Sequence, residues 1–280
     1  MKTNDHLTLY VEEVSIIGHA QTIVLRSYKP AVRGQQLPVI LYFHGGGFVA
    51  GSLEDGDVPA AAIARMTPAW VISVGYSLSP NFPFPTALED GYRALQWTVA
   101  NARSQGVDPY RIGIAGHEAG GNLATCVAAV ARDRSEFRLS AQVLLTPMLN
   151  PNMTWVPNLF DRIDVDLSMS ERAHFYRTYL PKAFQRGHPY AAPVESKRLV
   201  RLPPALIVNA QRDPLHEEAE RYTLALNAAG VPTHIMRFQG VSPAALPTHG
   251  PALAEIASFF AAMLNPSTSH SVSRDRTFSN

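Results

Sequence analysis

The chain has 280 residues, and 24 Lys and Arg residues against 23 Asp and Glu residues give it a formal net charge of +1. A chain of this length is typical of one compact α/β domain, and its 46% hydrophobic content is ordinary for a globular protein. The near-neutral charge argues against a nucleic-acid partner and against a basic membrane-binding patch. We also expect no membrane span, because no apolar run approaches the roughly 18 residues that one requires.

The beginning of the chain and its cysteine content bear on its location. Residues 1–6 read MKTNDH and lead into no apolar core of a signal peptide. The chain has one cysteine, Cys126, so it cannot form an internal disulfide. A lone cysteine fits a reducing compartment and is typically a small buried residue. We therefore expect a cytoplasmic protein.

In chain order, the hydrophobic pattern predicts alternating strands and helices. Short runs rich in β-branched residues first predict a hairpin that turns at Gly18 and His19, and continuous apolar runs then predict strands buried on both faces. The predicted strands are residues 7–17, 21–27, 38–43, 70–74, 111–115, 139–146, 205–210 and 233–238. The predicted helices are residues 56–66, 86–101, 119–131, 217–229 and 250–264. This alternation predicts an α/β fold whose mostly parallel central sheet has helices on both faces.

Two segments depart from the alternation. Residues 150–193 contain no strand-like run but have aromatic and apolar residues in helical clusters. We expect this segment to be a small helical cap over the carboxyl edge of the sheet, where such sheets bind ligands. Residues 265–280 are polar and Ser-rich, so we expect a disordered tail after a single domain over residues 1–264.

A glycine-rich loop follows the predicted strand over residues 38–43. It reads His44-Gly45-Gly46-Gly47-Phe48. Consecutive glycines let backbone N–H groups point into a cleft, where they can stabilise negative charge on an oxygen atom. The segment resembles the oxyanion-hole loop of the hormone-sensitive-lipase group of esterases and lipases. That resemblance implies an α/β-hydrolase fold, a binding pocket for a small apolar molecule or an ester-like substrate, and neither a cofactor nor a metal.

The resemblance extends over roughly residues 38 to 264. Residues 76–90 are similar to the segment that supports the loop in that group, and residues 202–215 are similar to its acid-bearing region. Two positions depart, since Gly75 and Ser77 stand where the group usually has Asp and Arg. The chain before the first matched strand is also too short for the large N-terminal cap of many members, which implies an open pocket.

The segment that should carry the nucleophile carries an acid instead. Members of the group have a G-x-S-x-G turn between a strand and a helix. Here Gly116 and Gly120 are both present, but the residue between them is Glu118. The sequence therefore predicts the sharp turn without the serine hydroxyl.

A carboxylate at this turn lies at the beginning of a helix, where backbone N–H groups and the helix dipole favour an anion. By resemblance, the donors of the oxyanion hole are the backbone N–H groups of Gly46, Gly47 and Ala119. Because Glu is longer than Ser, we expect the Glu118 carboxylate to fold into the hole and accept those hydrogen bonds.

In members of the group the serine forms a catalytic triad with a histidine and an acid. The positions of the acid and the histidine differ in how well this chain matches the group. By resemblance, Asp213 is the acid. The register of the catalytic histidine falls on Pro243, which carries no exchangeable side-chain proton. The nearest histidine is His249. If residues 242–247 are an insertion relative to the group, His249 can still reach the site. The alternative is that His249 is only the first residue of a helix. By resemblance, we expect His117 to be structural and to face away from substrate.

These observations leave three functions open. The first is a pseudo-hydrolase that binds a small apolar or acyl ligand without serine-dependent turnover. The second is an active hydrolase that uses Glu118 as nucleophile or general base together with His249. The third is a module that binds another protein through the cap or the tail. The oligomeric state is open, although related esterases often pair as homodimers.

Overall fold

A computed structural model describes residues 7–32, 34, 36–153 and 168–265. The predicted tail therefore lies outside the described residues except for Asn265, and so does the part of the predicted cap over residues 154–167. Within the described part of the chain, no helix is both long and apolar enough to cross a membrane.

The core of the fold is one sheet of eight described strands in the order β1-β2-β4-β3-β5-β6-β7-β8. β1 pairs antiparallel with β2, and β2 pairs antiparallel with β4, whereas all other neighbours are parallel. The strands are β1 (Leu9–Ile17), β2 (Thr22–Pro30), β3 (Leu37–Phe43), β4 (Trp70–Gly75), β5 (Val107–His117), β6 (Ala141–Leu145), β7 (Ala205–Ala210) and β8 (Thr233–Phe238). The predicted mostly parallel sheet is confirmed.

Helices cover both faces of this sheet. The described helices are α1 (Leu53–Met66), α2 (Thr86–Ala102), α3 (Ala119–Arg134), α4 (Met169–Tyr179), α5 (His216–Ala228) and α6 (Gly250–Leu264). Side chains of α2, α3 and α5 share one apolar cluster with one face of the sheet, and those of α1 and α6 share a second cluster with the other face. In β3, Leu41 belongs to the first cluster and its neighbours Ile40 and Tyr42 to the second, as strand alternation requires.

Two predicted boundaries are too late in the chain. α1 begins at Leu53 because the Ser52 amide donates a 2.9 Å hydrogen bond to the Asp55 carboxylate at its first turn. β5 begins at Val107, since a bulge in its pairing with β3 lets the strand continue through the polar residues that precede Arg111. Neither change alters the topology.

Candidate active site

The turn between β5 and α3 holds Glu118 in a backbone conformation that few residues other than glycine adopt, with φ of 55° and ψ of −113°. The turn is tight, because a Cβ atom at Gly116 would lie 2.1 Å from the carbonyl oxygen of Gly120. A Cβ atom at Gly120 would lie 2.1 Å from the carbonyl oxygen of Phe43. Both positions therefore require glycine, and residue 118 is at the apex of a strained strand-to-helix turn.

The Glu118 carboxylate points to the glycine-rich loop after β3. Its Oε2 accepts a 2.9 Å hydrogen bond from the backbone N–H of Gly46. Its Oε1 is buried and hydrogen bonds to no described residue. Of the three expected donors, only Gly46 donates to this carboxylate in the described part of the chain; no such bond comes from Gly47 or Ala119. The side chain is buried, with 7% of the residue exposed.

Asp213 follows β7 and is buried. Its Oδ1 accepts a 2.9 Å hydrogen bond from the backbone N–H of Leu215 and lies 4.0 Å from Nη2 of Arg172. Its Oδ2 has no hydrogen-bond partner among the residues described. Burial raises the pKa of Asp213, and the charge of Arg172 opposes that shift. A buried guanidinium therefore lies beside the acid.

Pro243, at the position expected for the catalytic histidine, is buried. Its backbone carbonyl group is a hydrogen-bond acceptor at the site. Nε2 of His117 donates to that carbonyl oxygen at 3.1 Å. The His117 ring and the Glu118 carboxylate both border Gly45. Burial lowers the pKa of His117, so the ring is held in its neutral form. His117 thus connects the β5–α3 turn to the loop that would otherwise present a histidine.

His249 immediately precedes α6, and its described contacts are with other residues than Glu118 and Asp213. Its ring packs edge-on against Phe238 with 5.2 Å between ring centroids. Its Nδ1 is buried without a hydrogen-bond partner. Over the described ranges, no hydrogen bond or ion pair joins His249 to Glu118 or Asp213.

Helix α4 packs directly on the glycine-rich loop. A Cβ atom at Gly47 would lie 2.1 Å from the ring of Phe175, so only glycine allows this contact. The Tyr179 ring stacks on Phe48 at 3.9 Å between centroids, and the Tyr176 ring lies 6.2 Å from it. The aromatic residues of α4 thereby cover the loop that donates to Glu118.

Comparison with known proteins places this arrangement in a family. A family model described as the alpha/beta hydrolase fold matches residues 40–245. Esterase LipI of Mycobacterium tuberculosis is 37% identical to the chain over 238 residues, which cover 84% of this chain and 74% of that esterase. The chain belongs to the α/β-hydrolase family. The motifs of the hormone-sensitive-lipase group therefore indicated the right relatives, which are esterases of that group.

Solved structures of esterases share the fold of this α/β-hydrolase. A hyperthermophilic esterase from the archaeon Pyrobaculum calidifontis matches with a TM-score of 0.85 and 36% identity, covering 94% of this chain and 88% of that one. A thermostable carboxylesterase cloned from a metagenomic library matches with a TM-score of 0.86 and 34% identity, covering 94% of this chain and 92% of that one.

The sequence motifs of this α/β-hydrolase did not reveal two ionic residues near Asp213. Arg172 is buried on α4, where it shares one stripe with the buried Tyr176 and Tyr179 at positions i, i+4 and i+7. Glu218 is buried on α5, on the same face as the buried Tyr222 four residues later. In both helices the sequence places a charged residue on an otherwise apolar stripe, and this pattern could have indicated a buried charge.

Glu218 is held by a backbone donor and a low-dielectric environment. Its Oε1 accepts a 2.9 Å hydrogen bond from the backbone N–H of Leu149. Burial raises its pKa to about 8, with a further contribution from the charge of Asp213. Among the described residues, no group of three or more His, Cys, Asp or Glu side chains is arranged to hold a metal ion.

Proposed function

We propose that this α/β-hydrolase is a pseudo-hydrolase, which binds a small molecule in an esterase-type site and does not hydrolyse esters by serine chemistry. The observation that carries the proposal is the 2.9 Å hydrogen bond from Gly46 N–H to Glu118 Oε2. Serine hydrolysis needs a hydroxyl at the turn between β5 and α3, and a carboxylate stands there.

The same hydrogen bond opposes the binding of an ester carbonyl in a reactive position. Backbone donors of an oxyanion hole accelerate acyl transfer by stabilising charge that develops on the carbonyl oxygen. Here one donor, Gly46 N–H, is already bonded to an anionic acceptor. A hydrogen bond to a charged group is worth about 1.5–3 kcal/mol, so a neutral carbonyl competes poorly for it.

The surroundings of Asp213 support the proposal independently. In a triad, the acid orients a histidine that takes the proton of the nucleophile. The guanidinium of Arg172 lies 4.0 Å from Asp213, and it is a permanent cation that cannot act as a base at neutral pH. His249 packs against Phe238 and lacks a described contact with either carboxylate.

The test is hydrolysis of p-nitrophenyl acetate and p-nitrophenyl butanoate by the purified full chain. We expect a rate equal to that of a heat-denatured sample, for the wild type and for Glu118→Gln alike. The proposal is contradicted by saturable hydrolysis in the wild type. If that activity disappears in both Glu118→Gln and His249→Ala, Glu118 acts as nucleophile or general base with His249, which is the alternative function.

A further inference from the structure

A cleft lies at the amino edge of the parallel strands, opposite the edge that carries Glu118. It has two lobes of about 770 and 600 Å³, which share Phe137, Arg138 and Leu139 in their walls. These volumes lie within the range of about 300–1,000 Å³ that is usual for small-molecule sites. Ile112 of β5 lines the first lobe, and Glu118 comes six residues later. Because a strand rises about 3.3 Å per residue, the cleft and the turn are about 20 Å apart.

Hydrogen bonds within the fold hold the walls of the cleft. The backbone N–H of Ser140 donates to the carbonyl oxygen of Ile112 at 2.7 Å, which fixes the loop between α3 and β6 against β5. On the other side, Nη1 of Arg132 donates to the carbonyl oxygen of Val200 at 3.1 Å, which fixes the segment before β7 against α3. The cleft is therefore formed by the fold itself and needs no ligand to open it.

Apolar side chains form much of the wall. Ile112 and Leu139 are buried, and Phe137 and Pro204 are half-buried. All four line the first lobe, and three of them, Phe137, Leu139 and Pro204, also line the second. The surface that Phe137 and Pro204 leave exposed to water would be covered by an apolar ligand, which favours binding.

Two arginines of the cleft have no partner in the described part of the chain. Arg138 lines both lobes and Arg201 lines the second, and both residues are exposed. Neither side chain forms a hydrogen bond or an ion pair with a described residue. Arginines at helix ends stabilise the helix dipole, which is sufficient to explain Arg103 and Arg132 at the ends of α2 and α3. Arg138 and Arg201 lie in loops, so that explanation does not apply to them.

Local structure does not account for these two charges either. Among the described residues of the two lobes, Glu136 is the one acidic side chain, and it accepts a 3.2 Å hydrogen bond from Nε2 of Gln96 on α2. Arg201 has a φ of 64°, a conformation that glycine adopts at lower cost than arginine. The cleft therefore combines an apolar wall with two guanidinium groups that are available to an anion.

We propose that this cleft is a binding site for a small organic acid, a molecule with a carboxylate group and an apolar body. The carboxylate pairs with Arg138, because the planar guanidinium matches its two oxygens, and Arg201 supplies further positive charge. The apolar body packs against Phe137 and Leu139. An organic cation meets like charges in the same place and is disfavoured. The site is separate from Glu118, so this inference does not rest on the proposed function.

The test compares four probes by isothermal titration calorimetry with the full chain. The probes are 4-phenylbutanoate, 4-phenylbutan-1-ol, 4-phenylbutylammonium and inorganic phosphate. We expect 4-phenylbutanoate to bind at one site, at least about tenfold more tightly than the neutral alcohol, which has the same apolar body without the charge. The ammonium ion, which has the opposite charge, and phosphate, which has no apolar body, should bind at least about tenfold more weakly than 4-phenylbutanoate as well.

Variants assign the binding to this cleft. The double variant Arg138→Gln with Arg201→Gln should weaken 4-phenylbutanoate binding by about tenfold or more. Both positions are exposed, so the fold should tolerate the changes, and circular dichroism establishes that it does. Lys197→Gln is the matched control. It removes one positive charge at an exposed position that lines neither lobe, and it should bind as the wild type does.

Four results overturn the inference. The first is no binding of 4-phenylbutanoate, and the second is equal or tighter binding of the alcohol or the ammonium ion. The third is a double variant that binds 4-phenylbutanoate as tightly as the wild type, which would place the anion elsewhere. The fourth is equal or tighter binding of phosphate, which would mean that the apolar wall contributes nothing.

Discussion

The backbone N–H of Gly46 donates a 2.9 Å hydrogen bond to Oε2 of Glu118, which lies 72 residues further along the chain. The bond joins the glycine-rich loop after β3 to the turn between β5 and α3. Because β3 and β5 are neighbouring parallel strands, their carboxyl ends bring these two segments together. A single hydrogen bond thus links two of the motifs by which the chain resembles an esterase.

Restoring the serine alone should not restore an esterase. We expect Glu118→Ser to hydrolyse p-nitrophenyl acetate within about tenfold of the wild-type background, because a hydroxyl without a general base is a poor nucleophile. The double variant Glu118→Ser with Pro243→His should exceed the single variant, since it adds an imidazole at the register of the family histidine. Steady-state rates measure the difference. A large gain from Glu118→Ser alone would show that His117 or His249 already acts as a base.

Removing the buried cation of α4 should destabilise the fold. Arg172 and Asp213 are each about 1% exposed, so Arg172→Met leaves a buried carboxylate without a counter-charge. We expect a loss of about 3 kcal/mol in the free energy of unfolding, measured by urea denaturation. Asp213→Asn in the same chain should recover part of this loss, because it removes the uncompensated charge.

The matched control for this change is Arg177→Met, at an exposed position of the same helix. Its free energy of unfolding should differ from that of the wild type by no more than about 0.5 kcal/mol. Equal stabilities of Arg172→Met and Arg177→Met would mean that the ion pair with Asp213 contributes nothing to the fold.

Glu218 should make stability depend on pH. Its pKa is about 8 in the folded chain against an ordinary value of 4.5, so the folded state holds this proton over a range in which the unfolded state has lost it. Rising pH between these values therefore favours unfolding, by at most about 1.4 kcal/mol per pH unit. Above pH 8 the effect levels off. Urea denaturation from pH 5 to pH 9 measures this slope.

Glu218→Gln should flatten the profile, since it keeps an acceptor for the Leu149 amide but cannot titrate. Glu220→Gln, at an exposed position of the same helix, should leave the wild-type slope unchanged. If the free energy of unfolding changes with pH equally in the wild type and in Glu218→Gln between pH 5 and pH 8, the pH dependence does not come from Glu218.

The glycine after the turn should be intolerant of a single methyl group. Gly120→Ala places a Cβ atom 2.1 Å from the Phe43 carbonyl oxygen, which forces the backbone of β3 or α3 to move. We expect a loss of about 3 kcal/mol or more in the free energy of unfolding. Gly250→Ala is the control, because no atom outside its chain neighbours and its own helix backbone lies within 4 Å of the added Cβ, and it should be neutral or slightly stabilising. Similar stabilities of the two variants would mean that the turn is not as closely packed as described.

The sequence by itself determined the order of strands and helices and the family. Apolar runs over residues 38–43 and 205–210 are local signals, and the two glycines that flank Glu118 are required by a turn whose geometry is also local. The absence of serine at residue 118 could likewise be read without a structure.

The tertiary structure alone decided where the charged side chains point. The sequence motifs did not show that one donor, Gly46, bonds to Glu118, that Arg172 faces Asp213, or that His249 packs against Phe238. The Arg172–Asp213 pair spans 41 residues and depends on how α4 lies on the loop after β3. Strands, helices and turns follow from residues that are close in sequence. The pairing of buried charges follows from packing between distant elements, because a buried charge is stable only with a partner that the fold places beside it.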